Sequence, residues 1–298
     1  MTKKILIIGG SGLIGSKIVD KFVQSKLNFD YTYLKNNLQY QNGHKLDITN
    51  NNSLINLLSK INPDIVIHTA ALTNVDKCET NQPLAKLINI QGTKNIVEAC
   101  KIIKSKIIFL SSSYIFDGEV KEYFEDDKPN PKSYYGLTKY ESEQLIKNSG
   151  LDYLILRTDQ PYCWNETWQK NNSVTRVINN LKNGNQIKEI IDWYNNPTYV
   201  PNFIEILENL ISKNFSEIFH FVGPNFLSRY EWSLKVCEIF NLNSKLLVPI
   251  KSDQLNLPFK RNKIKLNTDK ISRVTGNHIM SIDEGLRSMY FLKNHHNF

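Results

Sequence analysis

The sequence predicts an α/β fold: a doubly wound parallel sheet over residues 1–158 and a smaller C-terminal α/β cap over 159–298. Three observations carry this. Short apolar runs alternate with helix-like segments through residue 158. The first run ends in a glycine-rich turn that opens a helix. Beyond 158 the rhythm loosens, and some later segments are expected to return to the sheet. No internal repeat and no low-complexity linker interrupts the chain.

Lys3 to Ile8 is an apolar run after two lysines, which suits a buried parallel strand. It ends in Gly9-Gly10-Ser11-Gly12-Leu13-Ile14-Gly15, and a helix-like segment follows to Val23. Strand, glycine turn and helix N-terminus are what a dinucleotide site of the Rossmann type requires. The glycines admit the pyrophosphate, and the helix end faces its charge. A plain glycine turn would look the same in isolation. The second strand, Phe29 to Leu34, has no acid at its end for a ribose. Lys35 stands there instead, placed to meet a 2′-phosphate, so the cofactor expected is NADPH with NADH as the alternative.

Leu46-Asp47-Ile48-Thr49 leads into a helix beginning near Asn51. Asp47 is either an adenine-side contact or a helix-starting residue. Pro63 to His68 reads as a strand, and Thr69-Ala70-Ala71 leaves room for a flat ligand at its end. A helix from about Pro83 to Ile103 contains Asn89 and Gly92. Lys106 to Leu110 is another buried strand, ending in Ser111-Ser112-Ser113. Hydroxyls at the carboxyl end of a strand face the ligand side of such a sheet. An acidic irregular stretch, 117–127, precedes a helix opened by Pro129 and Pro131. In that helix Tyr135 and Lys139 are four apart and share a face. A lysine beside a phenol favours the phenolate, which suits proton transfer near neutral pH. Asp152 to Leu156 is a further strand, ending Arg157-Thr158. Later helices are expected near 174–183, 203–212, 229–240 and 282–292, with a strand at 218–222 and a basic irregular stretch at 249–265.

Composition narrows the partners. The net charge of +8 admits an anionic ligand. The basic residues are dispersed, however, and no aromatic-basic module is visible, which argues for a nucleotide or phosphorylated metabolite over nucleic acid. The four cysteines, Cys78, Cys100, Cys163 and Cys237, are scattered with no CxxC. Free thiols in a reducing compartment are expected, with no zinc site. The N-terminal apolar run is too short for a signal segment or a membrane span, so a soluble cytoplasmic protein is expected. His295 and His296 could chelate a metal, but a frayed polar tail is the better reading, and no metal site is expected.

Taken in order, these motifs resemble the extended short-chain dehydrogenase/reductase superfamily, and within it the dTDP-4-dehydrorhamnose reductase family. The matching pieces are Gly9 to Gly15, Leu46 to Thr49, Pro63 to Glu79, Asn89 with Gly92-Thr93, Ser111 to Gly118, Tyr134 to Lys139, and Leu156 to Thr158. Asn196-Pro197-Thr198, His220 to Gly223 and Leu227 to Glu231 continue the match over nearly the whole chain.

The resemblance implies NADPH-dependent reduction of a nucleotide-linked 4-keto-6-deoxysugar. Tyr135 would protonate the carbonyl oxygen, Lys139 would lower the Tyr135 pKa and hold the nicotinamide ribose, and Ser112 would bond the same oxygen. The cofactor-binding set would be Gly9, Ser11, Gly12, Leu13, Ile14, Gly15, Lys35, Asp47, Ile48, Ala70, Ala71, Thr73 and Asn89, with Tyr135 and Lys139. Ser113, Tyr114, Asp117 and Arg157 would line the sugar pocket; packing for Tyr114 and strand-end structural bonds for Asp117 and Arg157 are the competing readings. The nucleotide diphosphate would lie against the C-terminal cap, and a homodimer is left open. Three departures stand out. Ser113 replaces the Asp of many relatives, and Phe259 to Leu266 keeps the family's basic character but not its Pro. Asp159 to Trp164 has no assigned role; Cys163 within it is either a buried thiol or a proton carrier to a sugar carbon. Two other functions remain. One is a bifunctional 3,5-epimerase/4-reductase of a UDP- or GDP-sugar. The other is a non-catalytic subunit resembling the regulatory subunit of methionine adenosyltransferase.

Overall fold

In the computed structural model, residues 3–295 are described, with side chains through Lys293. His296 lies outside the described residues, as does the side chain of His295. The chain forms two compact units. The first holds Met1–Phe116, Lys128–Arg157 and Ile211–Phe219. The second holds Asp117–Asp127, Thr158–Leu210 and His220–Phe298.

The first unit alternates short strands, most of them buried and rich in apolar residues, with helices. In chain order come β1 (Ile5–Ile8), α1 (Leu13–Gln24), β2 (Phe29–Tyr33), β3 (Gly43–Lys45), α2 (Asn51–Ile61) and β4 (Ile65–His68). Next are α3 (Val75–Thr80), α4 (Gln82–Ala85), a π-helical stretch Lys86–Gln91, α5 (Gly92–Ile103) and β5 (Lys106–Ser112). A 3₁₀ turn Ser113–Ile115, α6 (Tyr134–Lys147) and β6 (Tyr153–Thr158) follow. Caps mark where helices start: the Asn50 side chain accepts from Ser53 N–H ahead of α2, and Ser133 Oγ from Gly136 N–H ahead of α6.

The sheet has seven strands in the order β11-β6-β5-β4-β1-β2-β3, β11 being Ile218–His220. The pairings β3–β2, β2–β1, β1–β4 and β4–β5 are parallel. The chain starts in the middle and winds outward in both directions, the doubly wound order that creates a ligand crevice at the strands' carboxyl ends. β11, from late in the chain, is the edge strand next to β6. On one face, Leu6, Val66, Ile107 and Phe109 pack with Leu54, Leu58, Ile96 and Ile146 of α2, α5 and α6.

The second unit contains β7 (Pro161–Tyr162), α7 (Ser173–Lys182), β8 (Ile187–Ile190), β9 (Tyr194–Asn195), β10 (Thr198–Tyr199) and α8 (Val200–Ser212). β12 (Leu227–Ser228), α9 (Arg229–Phe240), β13 (Leu247–Ile250), α10 (Asp269–Thr275) and α11 (Ile282–His295) complete it. Its strands form three two-stranded pairs, β7–β10, β8–β13 and β9–β12. Its core gathers Tyr162, Val177, Ile178, Trp232, Leu286 and Met289. Among the described residues no helix is long and apolar enough to cross a membrane.

Candidate active site

The glycine turn is sterically determined. Gly9 has φ +87°, and a Cβ there would lie 2.7 Å from the Ala70 nitrogen. A Cβ on Gly15 would lie 2.2 Å from the Gly9 carbonyl oxygen, so α1 packs directly on the turn. Gly12 is the N-cap of α1; no side chain caps this end, and its first turn carries no acid. The positive end of the helix is thus left to an anion. Ser11, Leu13 and Ile14 sit in the same turn, partly exposed. These features fit the pyrophosphate of a dinucleotide.

Around this turn the expected adenosine-side residues have distinct surroundings. Lys35 is exposed on the loop after β2. The one acid on β2, Asp30, is engaged by His44 at 2.7 Å and Lys4 at 3.4 Å, which leaves no strand-end carboxylate for a ribose. Asp47 accepts from the Thr49 N–H (2.9 Å) and hydroxyl (2.7 Å), so its carboxylate organises the turn into α2 while staying exposed. Ile48 is buried and packs on Gly92. Ala70 and Ala71 follow β4, and Thr73 is exposed on the same loop.

That loop is pinned by Asn89. Its Oδ1 accepts from Leu72 N–H at 2.7 Å, and its Nδ2 donates to the Leu72 carbonyl (3.1 Å) and to Thr138 Oγ1 on α6 (3.0 Å). Asn89 lies in the π-helical stretch, where its own carbonyl accepts from the hydroxyls of Thr93 (2.6 Å) and Ser142 (3.0 Å). The sequence reading had a continuous helix here; the extra residue in the turn is what these two hydroxyls accommodate.

Ser112 closes β5, and its Oγ accepts from Tyr114 N–H at 3.3 Å. A Cβ on Gly136 would lie 2.0 Å from the Tyr114 carbonyl oxygen, so only glycine lets the first turn of α6 sit on the Ser113–Ile115 turn. This contact sets the Tyr135 ring edge-on to Tyr114, with centroids 5.9 Å apart. Lys139, one turn further along α6, is buried, with its Nζ 4.0 Å from the centroid of the Phe109 ring. Burial lowers its pKa to about 7, with Glu143 opposing the shift. Nearby His68 is held down to about 3 by burial and by Lys139.

The sugar-side candidates divide. Ser113 is buried, and its Oγ has no hydrogen-bond partner among the described residues. Tyr114 packs on Tyr135 as described. The Arg157 guanidinium forms a bidentate pair with Glu143 (Nε–Oε1 3.1 Å, Nη2–Oε2 2.9 Å), with side chains 2% and 0% exposed, a bond of the strand-end structural kind. It locks β6 to α6, because a buried charge needs a partner. Asp117, in the second unit, accepts from the Tyr123 hydroxyl and from Glu119 N–H at 3.0 Å, which holds its own loop. Cys163 is buried, as are the other three thiols, and none of the four is joined in a disulfide. Among the described residues no cluster of His, Cys, Asp or Glu could hold a metal. Sequence reasoning passed over Phe109, Glu143, Gly136 and His68; of these only Gly136, one residue after Tyr135, carried a local signal.

A doubly wound sheet with a Ser–Tyr–Lys set at the carboxyl end of β5 and on α6 defines an extended short-chain dehydrogenase/reductase. The family model for the RmlD substrate binding domain matches residues 3–293, and the chain belongs to that family. The dTDP-4-dehydrorhamnose reductase of Aggregatibacter actinomycetemcomitans is 29% identical over 240 residues, covering 78% of each chain. The methionine adenosyltransferase 2 subunit beta of Bos taurus is 26% identical over 255 residues, covering 83% of this chain and 75% of that protein. A crystal structure of dTDP-4-dehydrorhamnose reductase from Bacillus anthracis in complex with NADP superposes with a TM-score of 0.87 at 26% identity, covering 98% of this chain and 99% of that one.

Proposed function

We propose that this protein reduces the keto group of a nucleotide-linked 4-keto-6-deoxysugar at the expense of NADPH, in rhamnose-type deoxysugar synthesis. The observation that carries it is the Ser112–Tyr135–Lys139 set, held at a strand end and on one helix, in the same unit as a glycine turn shaped for a dinucleotide. When bound, the cofactor supplies the hydride. The protein's part is positioning and proton transfer. Ser112 donates a hydrogen bond to the substrate carbonyl oxygen. Tyr135 gives that oxygen its phenolic proton, and the Lys139 ammonium stabilises the phenolate left behind. Gly9, Ser11, Gly12, Leu13, Ile14 and Gly15 cradle the pyrophosphate. Lys35 meets a 2′-phosphate, and Asp47, Ile48, Ala70, Ala71, Thr73 and Asn89 shape the rest of the cofactor site. Ser113 and Tyr114 are the sugar-side contacts this reading keeps; the second unit is assigned to the nucleotide. Four buried cysteines outside any disulfide suit a cytoplasmic enzyme.

The test is a screen of dTDP-, UDP- and GDP-linked 4-keto-6-deoxysugars with NADPH, read by product identification. Turnover of one of them is expected, and Tyr135→Phe should lower kcat by about 10²–10⁴-fold. Near-normal turnover in that variant would remove Tyr135 from the chemistry. The similarity to a methionine adenosyltransferase subunit supports a second reading, a partner-binding regulatory subunit. No turnover of any keto sugar, together with a stoichiometric complex on mixing with a methionine adenosyltransferase catalytic subunit, would favour it over the reductase.

A further inference from the structure

The parallel register of β4 and β5 sets His68 directly beside Phe109. Neighbours in register project to the same face of a sheet, here the face covered by α5 and α6. The two rings lie 5.3 Å apart and tilted by 43°. Phe109 is 1% exposed, and its ring face carries the Lys139 ammonium at 4.0 Å. Among the described residues that ammonium makes no hydrogen bond or ion pair within the protein.

The other groups facing Lys139 do not supply a free counter-charge. Glu143, one turn along α6, is held bidentate by Arg157 of β6. Tyr135 of α6 and Tyr114 of the 3₁₀ turn present phenols. Glu79 of α3 accepts from Tyr134 N–H at 2.9 Å. Lys94 and Glu98 of α5 and Glu141 of α6 line a groove of about 390 Å³ whose lining does not include Lys139. His68 of β4 is neutral. The Thr93 hydroxyl spends its one proton on the Asn89 carbonyl at 2.6 Å, so it must accept from His68 Nε2 at 3.1 Å. The remaining nitrogen, Nδ1, has no hydrogen-bond partner among the described residues. A protonated imidazole here would place a second cation beside the ring.

We propose that Phe109 is a positioning residue for Lys139: its ring face, set beside His68 by the pairing of β4 with β5, keeps the buried ammonium charged and in place beside Tyr135. The proposal rests on the reductase reading for its catalytic consequence but not for its physical content. A cation over a desolvated aromatic face gains about 0.5–2 kcal/mol, which corresponds to about 0.4–1.5 pKa units on the ammonium.

The experiment follows the ¹³Cε and ¹⁵Nζ resonances of Lys139 against pH in lysine-labelled, cofactor-free protein, with Lys139→Met giving the assignment. Phe109→Leu should move the titration midpoint down by about 0.4–1.5 units, and Phe109→Tyr should keep it at the parent value. If the Leu variant does not fold, Phe109→Met removes the aromatic face with less loss of volume. An unchanged midpoint in the non-aromatic variant, or an equal fall in Phe109→Tyr, overturns the proposal. In the reductase assay the alkaline limb of kcat should move with the midpoint. The resonance test stands whether or not any sugar is turned over, so the two readings fail separately.

Discussion

Replacing Lys139 with Met asks whether the ammonium is carried at a cost to the fold. Burial is the larger influence on this group and takes its pKa from 10.5 to about 7 against the pull of Glu143. Between those values the unfolded chain holds a proton that the folded chain has released, so stability rises with pH across the window. Below pH 7 both states are protonated and the penalty is complete. At about 1.4 kcal/mol per unit, the full penalty is about 4–5 kcal/mol, of which about 2 kcal/mol remains at pH 9. Met has a similar length, and its thioether packs favourably on the Phe109 ring. Cofactor-free Lys139→Met should therefore exceed the parent in stability by about 4 kcal/mol at pH 6 and about 2 kcal/mol at pH 9, while losing reductase activity. Urea denaturation followed by tryptophan fluorescence at the two pH values measures both gaps. A variant no more stable than the parent at pH 6, or one whose gain is the same at both pH values, refutes the reasoning. In either case the ammonium would not be buried at a net cost.

Glu143→Gln strips the partner from the buried Arg157 guanidinium and should cost about 3–5 kcal/mol in urea denaturation. It should also lower the Lys139 titration midpoint further, since Glu143 favours the charged lysine. Gly136→Ala puts a methyl group 2.0 Å from the Tyr114 carbonyl oxygen and must displace the first turn of α6. A shift of about 1 Å in Tyr135 should lower kcat by about 10²-fold, read by NADPH consumption. Lys35→Ala should raise the KM for NADPH about five-fold, the worth of one exposed ion pair, and leave the KM for NADH unchanged. Equal KM values for the two cofactors in the parent would take Lys35 out of the site.

The parts of the site that were legible in the sequence are those whose chemistry is local. Gly9, Gly12 and Gly15 declare a turn by spacing, and the strand and helix on either side declare what the turn is for. Tyr135 and Lys139 share a helix face because they are four apart. The short strands were harder. β3 is Gly-His-Lys, with no apolar residue, and exists because Gly43 lies against the Tyr31 ring on β2. Arg157 ends a strand at the ligand edge, where a sugar contact and a strand-end structural bond look alike in sequence. Its buried partner, Glu143, is fourteen residues away on a helix whose packing the sequence does not display.

The same limit explains why Phe109 escaped notice. In the run Lys-Ile-Ile-Phe-Leu it is one apolar residue among several. It acquires a role only when β4 pairs in register with β5, bringing His68 alongside, and when α6 lowers Lys139 onto the ring. Each of those steps is a long-range packing event. Tyr135 and Lys139 announce a proton-transfer pair by spacing, but spacing does not say how an ammonium survives with only 4% of its residue exposed. Burial pushes it toward the neutral amine; Glu143 and the aromatic face push it back. The balance brings Lys139 down to about 7, where it can titrate near neutral pH. A modest change beneath it, at Phe109, should therefore be felt as a shift in pH dependence before it is felt as a loss of fold.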